Sequence, residues 1–440
     1  MKKTLTRQDV LKNCKIFAML AAQADKEHLS FHTPGHKVSG FDITELSYSD
    51  NLSCPKSCIL AAEQDIAAIL GAYKSFLLTD GSTCGILSML YAAKTLGVKR
   101  IAFCESSHKS VYNGCAALGL TPLVYAAEKA GEIPFSPTMY ALNEKNAHIL
   151  QAADALFLTS PDYYGNVVDL RGAREWCDKN NKILLIDGAH GGHLHFDKSL
   201  HAGAVADMWV DGVHKSLPAF TQGAVASART EKFAEALQKG VDVFRTTSPS
   251  YPIMASVEYA VKYPRNEGLE KAVREFSERE ERVILRDDWT KLLVLFGERA
   301  FEAEKELEGK GIYAEFCDGN LMMFYLSPAT KDEDFETLKK EIGLLLKKYP
   351  YFTKKEVERV PAPVLLDKNV ATEWVNLDDV EGRICANNCG LFPPCTPLIL
   401  AGEQVAREKV ELLKKANNVF GLYEGKILVL KKTIKGIKIW

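Results

Sequence analysis

Between about Ser75 and Val225 the chain alternates short apolar runs with amphipathic stretches: SFLLT then ILSMLYAAKTLG, RIAFC then SVYNGCAALG, ALFLT then RGAREWCDKNN. Apolar runs this short and this continuous suit strands buried on both faces. Their alternation with helical stretches predicts an α/β fold, a doubly wound, mostly parallel sheet with helices on both faces. In such sheets chemistry gathers beyond the carboxyl ends of the strands, so the residues that follow each run are the first to weigh.

The run Ile183 to Ile186 delivers Asp187 and then His190, and the run Met208 to Val210 delivers His214 and Lys215. An acid on one strand and a lysine on the next suit a pyridine cofactor held as an imine. The acid would pair with the ring nitrogen and the lysine with the aldehyde carbon. Upstream, YKSFLLT leads through DGSTCG into a helix, the order that points free backbone N–H groups and a helix dipole at an anion. Gly81 shapes that turn and Ser82 and Thr83 offer hydroxyls, although such residues also simply cap helices. His108, at the next strand-to-helix junction, reads as a cap or a satisfied polar group, and beside a planar cofactor as a lid on its ring. Singly these residues decide nothing. Their joint order, at strand ends one cofactor could span, is the signal.

The chain has 440 residues, enough for a large domain with a smaller companion. With 55 basic against 57 acidic side chains it carries no electrostatic footprint for nucleic acid, which leaves a small-molecule enzyme as the default. Arg7, Asp9, Lys12 and Lys15 interrupt the first apolar stretch, so no signal peptide is expected. No later window has the composition of a membrane span. Eleven cysteines, several inside apolar runs, point to reduced thiols and a cytoplasmic setting. The spacing of Cys54, Cys58, Cys385, Cys389 and Cys395, with no histidine pair nearby, favours core or loop thiols over a zinc site, and no metal is expected.

Three segments are expected: an arm and linker over 1–50, a large cofactor-binding domain over 51–285, and a small α/β domain over 286–440. Val10 to Asp25 has helical spacing and reads as an arm packed on a partner, followed by the basic turn SFHTPGHKVSG and a polar linker or lid from Asp42 to Asp50. From Asn266 to about Gly309 the chain looks largely helical and dense in charge, as a solvated face would. Arg383 could meet an anion or simply be solvated.

The motifs FHTPGHK, DITEL, DGSTCG, SHKSVYNG, IDGAHGGHLHF, HKSLPAFTQGA, TTSPSYPIMAS and FPPCTPLILAGE run in order from residue 31 to residue 403. On them the chain resembles the pyridoxal-phosphate-dependent ornithine/lysine/arginine decarboxylase family of the aspartate aminotransferase fold (fold type I), in its short bacterial form. The resemblance implies that Lys215 forms the internal imine, His214 supports the cofactor and Asp187 pairs with the pyridinium. It implies that His108 stacks on the ring, that Gly81, Ser82 and Thr83 hold the phosphate, and that Ala189 joins the cofactor-binding set. His190 is the candidate for positioning the substrate carboxylate or a proton. The turn from Thr246 through Ser248 to Ser250 would reach a neighbouring subunit's cofactor, in a homodimer or dimer of dimers.

Four departures fall in these motifs. Gly188 replaces an acidic residue, Gly212 and Val213 replace a Ser-Thr pair, Cys395 follows Pro393 and Pro394 in place of glycine, and Ala401 precedes Gly402 and Glu403 in place of proline. Loss of a hydroxyl before His214 would remove a charge-assisted phosphate bond. The resemblance implies decarboxylation of lysine, arginine or ornithine to the amine, as in polyamine biosynthesis. An aminotransferase or other lyase on the same cofactor, and a cofactor-binding relative with reduced activity, are the alternatives.

Overall fold

The computed structural model describes residues 7–431 apart from 25, 27–28, 38–39, 131–132, 136–138, 350–369, 393–394 and 417. Its centre is a seven-stranded sheet of β1 (Lys74–Leu78), β2 (Arg100–Cys104), β3 (Thr121–Tyr125), β4 (Ala155–Thr159), β5 (Ile183–Gly188), β6 (Met208–Asp211) and β7 (Ala224–Ala228). The order across the sheet is β1-β7-β6-β5-β4-β2-β3. From β6 to β3 all neighbours are parallel, whereas β7 runs antiparallel to both β1 and β6. The exception has a physical cause: a parallel return needs a crossover helix, and the link from β6 to β7 holds only the four-residue helix Val213–Ser216. That link carries Lys215.

The strands read as unbroken apolar runs because each feeds two cores. Leu77, Ala102, Leu184, Ile186 and Trp209 enter one buried cluster, with the helices Cys58–Leu70 and Tyr251–Val261. Their chain neighbours Phe76, Phe103, Leu185, Met208 and Val210 enter the other, with the helices Gly81–Thr95 and Glu231–Phe244. This is the period of two expected of a strand, with both faces apolar.

The arm helix Lys15–Ala24 was expected on a partner, yet it packs on its own chain. Ile16 and Leu20 are buried in the first core, and the buried Glu258 carboxylate accepts the N–H groups of Lys15 and Ile16 at 2.6 and 2.8 Å. That carboxylate satisfies donors at the helix start that have no intrahelical acceptor. Linker residue Asp50 is likewise fixed, accepting N–H groups of Asn51, Lys56, Ser57 and Ile59.

The expectation of a solvated helical stretch from 266 to 309 fails in its middle. After the helix Glu267–Arg279 come β8 (Val283–Ile284) and β9 (Lys291–Leu295), which join β10 (Phe316–Cys317) and β11 (Leu321–Tyr325) in an antiparallel sheet of order β8-β9-β11-β10. Helices Ala300–Glu308 and Asp332–Lys348 cover it. A further cluster around Val380, Cys385, Cys389, Ile399 and Val410 is built from short strands between residues 372 and 430 and the helix Arg407–Lys415. Arg383 belongs there: it pairs with Glu373 at 2.6 Å and donates to the Leu430 carbonyl, so it meets a protein carboxylate instead of an anionic ligand. Among the described residues no helix is long and apolar enough to cross a membrane.

Candidate active site

The carboxyl ends of β5 and β6 bring Asp187 and Lys215 together. Asp187 is 1% exposed, and its Oδ1 accepts the Ala189 N–H at 3.0 Å. Burial pushes its carboxyl up, with Lys215 and the Ala189 N–H pulling the other way. Burial lowers Lys215, opposed by Asp187, so a free amine is accessible to it at a smaller cost than in water. His190 Nε2 stands 3.0 Å from Lys215 Nζ. Burial first, then the charges of Lys215 and Lys291, hold His190 well below the usual imidazole range, so the ring is neutral at neutral pH.

His108 does cap a helix: its Nδ1 accepts the Ser110 N–H of the helix Lys109–Leu118. It also faces the site. Burial and the nearby Lys215 hold it at about 4, so it presents a flat uncharged ring. His214 is held at about 4 by the same two causes, and its backbone N–H donates to the Gly223 carbonyl.

At the turn before the helix Gly81–Thr95, Asp80 is the cap residue but makes no side-chain cap bond. Its carboxylate instead accepts the Thr246 N–H at 3.3 Å, which ties the Thr246 turn to this chain's own helix start. Neither Ser82 nor Thr83 caps. Ser82 is buried and its Oγ has no hydrogen-bond partner among the described residues, whereas Thr83 and Ser248 are exposed. An orphaned buried hydroxyl and uncapped amides at a helix start are the features an anion such as phosphate satisfies. Together with the buried Asp187, which forms no ion pair among the described residues, and the half-buried Lys215, they fit a phosphorylated pyridine aldehyde.

Two departures now have steric reasons. A Cβ on Gly212 would lie 2.2 Å from the Ala189 carbonyl oxygen and 2.8 Å from Ser82 Oγ, so the space a serine would use is already held by a hydroxyl. A Cβ on Gly188 would lie 2.8 Å from the Val210 carbonyl oxygen. Cys395 adopts a left-handed backbone, φ 61°, of the kind glycine adopts freely. Its carbonyl accepts the Lys109 N–H at 3.1 Å, joining the carboxyl-terminal segment to the His108 turn. Pro393 and Pro394 lie outside the described residues.

The structure adds residues that sequence reasoning missed. The Tyr325 hydroxyl is 3.0 Å from His190 Nδ1, and Tyr163 stands edge-on to the His190 ring with centroids 5.5 Å apart. Asp288 is fully buried, bonding His193 Nε2 at 2.8 Å and Lys291 Nζ at 2.9 Å. Lys291 Nζ also lies 3.4 Å from the His190 carbonyl oxygen. The signal for Tyr163 was its turn after β4. For Tyr325, Asp288 and Lys291 there was none, because they come from the second sheet.

The family model for the Orn/Lys/Arg decarboxylase major domain matches residues 40–292, and that for the carboxyl-terminal domain matches residues 352–425. The chain is 26% identical to an uncharacterized Bacillus subtilis protein, YaaO, over 96% of this chain and 98% of that one. It is 25% identical to the arginine decarboxylase of Bacillus subtilis over 91% of this chain and 93% of that protein. The lysine decarboxylase of Francisella novicida has the same fold, with a TM-score of 0.76 at 17% identity, covering 95% of this chain and 81% of that one. A Sphingomonas wittichii serine palmitoyltransferase superposes with a TM-score of 0.51 at 18% identity, over 66% of this chain and 77% of that one. The fold is thus that of the fold-type-I enzymes, and the chain belongs to the Orn/Lys/Arg decarboxylase family of pyridoxal-phosphate-dependent amino-acid decarboxylases.

Proposed function

We propose that this enzyme removes the carboxyl group of a basic amino acid, lysine, arginine or ornithine, and releases the amine. The observation that carries the reading is the placement of the buried Asp187 and the half-buried Lys215 beyond adjacent strand ends, with His190 on the lysine. Pyridoxal phosphate, when bound, supplies an electron sink for the bonds at the amino-acid alpha carbon.

In this reading Lys215 holds the cofactor, and its burial keeps the amine reactive. Asp187 keeps its negative charge by facing the cation of the ring nitrogen. His108 covers the ring as a neutral imidazole, and His214 and Ala189 line its other contacts. Gly81, Ser82 and Thr83 receive the phosphate. His190, fixed from both ring nitrogens, orients Lys215 and the groups that replace it. Tyr163 and Tyr325 close the cleft from the side of the second sheet and exclude water.

We further propose that residues 51–285 form the cofactor-holding domain and residues 286–440 the smaller one, in a cytoplasmic homodimer. Thr246 and Ser248 then face the neighbour's cofactor from a turn anchored on Asp80.

Incubation of the cofactor-loaded protein with each of the three amino acids tests the activity. Carbon dioxide and the matching amine are the expected products from at least one. Keto acid in place of amine, or no release from any of them while cofactor stays bound, contradicts the reading.

A further inference from the structure

Near Lys215 lies a charge that the proposed decarboxylation leaves unused. Among the groups that act on Lys215 are two carboxylates, Asp187 and Glu315, and a second cation, Lys291. Asp187 serves the ring nitrogen. Lys291 is wholly buried and satisfied by Asp288 at 2.9 Å and Thr290 Oγ1 at 2.8 Å. Glu315 remains.

Glu315 immediately precedes β10, and its N–H donates to the Met323 carbonyl at 2.9 Å, which fixes its backbone on the second sheet. Its carboxylate accepts the Tyr163 hydroxyl at 3.2 Å. Tyr163 in turn stands against His190, and His190 touches Lys215, so a chain of contacts places the acid beside the lysine. Among the described residues no basic side chain forms an ion pair with Glu315, and the residue is exposed in the single chain. Partial burial of its carboxyl end pushes the group up, with the Tyr163 hydrogen bond, Lys215 and Lys291 pulling it back. Tyr163 is itself raised by burial, so it stays protonated and donates.

An exposed carboxylate that a phenol holds beside the Lys215 site is a receptor for a cation that arrives with the substrate. Lysine and ornithine bring an ammonium at the far end of the side chain, and arginine brings a guanidinium that can engage both oxygens. We propose that Glu315, oriented by Tyr163, binds the side-chain cation of the substrate and so selects basic over neutral amino acids. This assignment rests on the decarboxylase reading.

The test is calorimetric titration of the cofactor-loaded protein with the product amines cadaverine, putrescine and agmatine, each against the alkylamine of matching length. The wild-type protein should prefer at least one of the three by about tenfold to a hundredfold, the range of a charge-assisted hydrogen bond. Glu315→Gln should abolish the preference while alkylamine affinity and the cofactor's absorbance stay unchanged, and Glu315→Asp should restore part of it. In turnover, Glu315→Gln should raise KM for the basic amino acid and leave kcat within a few-fold. No preference in the wild-type protein, or an unchanged preference in Glu315→Gln, overturns the assignment. A fall in kcat with amine affinities intact also overturns it, because that would place Glu315 in proton transfer. If the wild-type protein releases carbon dioxide from a basic amino acid yet Glu315→Gln keeps its preference, Glu315 alone is misassigned. If no basic amino acid is decarboxylated, the parent reading falls with it.

Discussion

The Tyr325 hydroxyl lies 3.0 Å from His190 Nδ1, on the opposite side of the imidazole from Lys215. A residue on β11 of the second sheet thereby orients a ring at the end of β5 of the first. Tyr325→Phe keeps the ring packing and removes one hydrogen bond. Such a bond contributes about 1 kcal/mol net, so kcat/KM should fall about fivefold, with the fold intact by circular dichroism.

Asp288 ties the two sheets by a buried charge. It is held well below the usual carboxylate range, because the Coulombic pull of His193 and Lys291 and their hydrogen bonds outweigh its desolvation. A depressed carboxyl contributes stability above its unfolded value of 3.8, and that contribution is lost only as pH falls through the lower folded value. At neutral pH, Asp288→Asn leaves the wholly buried Lys291 without its counter-charge and should cost about 3–5 kcal/mol in denaturant unfolding. Lys291→Met with Asp288→Asn should recover much of that loss, since replacing both partners of a buried pair is tolerated.

Gly212→Ser gives back the hydroxyl that the family pattern has at this position. The Ala189 carbonyl oxygen, 2.2 Å from the new Cβ, is backbone and cannot swing aside. Cofactor affinity should therefore fall, and overpacking should cost about 1–3 kcal/mol of stability. Absorbance titration with pyridoxal phosphate checks the first and thermal unfolding the second.

Glu63 gives the opposite pH dependence to Asp288. Burial pushes its carboxyl up from 4.5 to about 7, only partly opposed by the Leu77 N–H and Arg245. The folded chain then keeps a proton that the unfolded chain has released, so stability falls as pH rises from 4.5 towards 7. Glu63→Gln should flatten that slope in urea titrations across the window.

The central sheet was legible because its strands are apolar on both faces and two neighbouring ones lead to residues with chemistry, Ile186 to Asp187 and Val210 to Lys215. The antiparallel β7 was less so, since direction depends on the length of a link and not on the strand's own residues. Asp288 and Lys291 were hidden for a different reason. In sequence they look like a solvated charge run, and only the fold pairs them in a dry contact beside His190. Glu315 and Tyr325 come from a sheet whose approach to the site no local pattern announces. Gly188 and Gly212 stood out in sequence as departures, but their cause, two backbone carbonyls at close range, is purely spatial.

Lys215 is the lysine proposed to carry the cofactor, and Lys291, with its Nζ 3.4 Å from the His190 carbonyl oxygen, is a close competitor. Borohydride reduction of the cofactor-loaded protein makes the attachment permanent, and peptide mapping by mass spectrometry then locates it. The expected result is the cofactor mass on the peptide that contains Lys215 and none on the peptide that contains Lys291. Cofactor mass on Lys291, or its absence from Lys215, would contradict it.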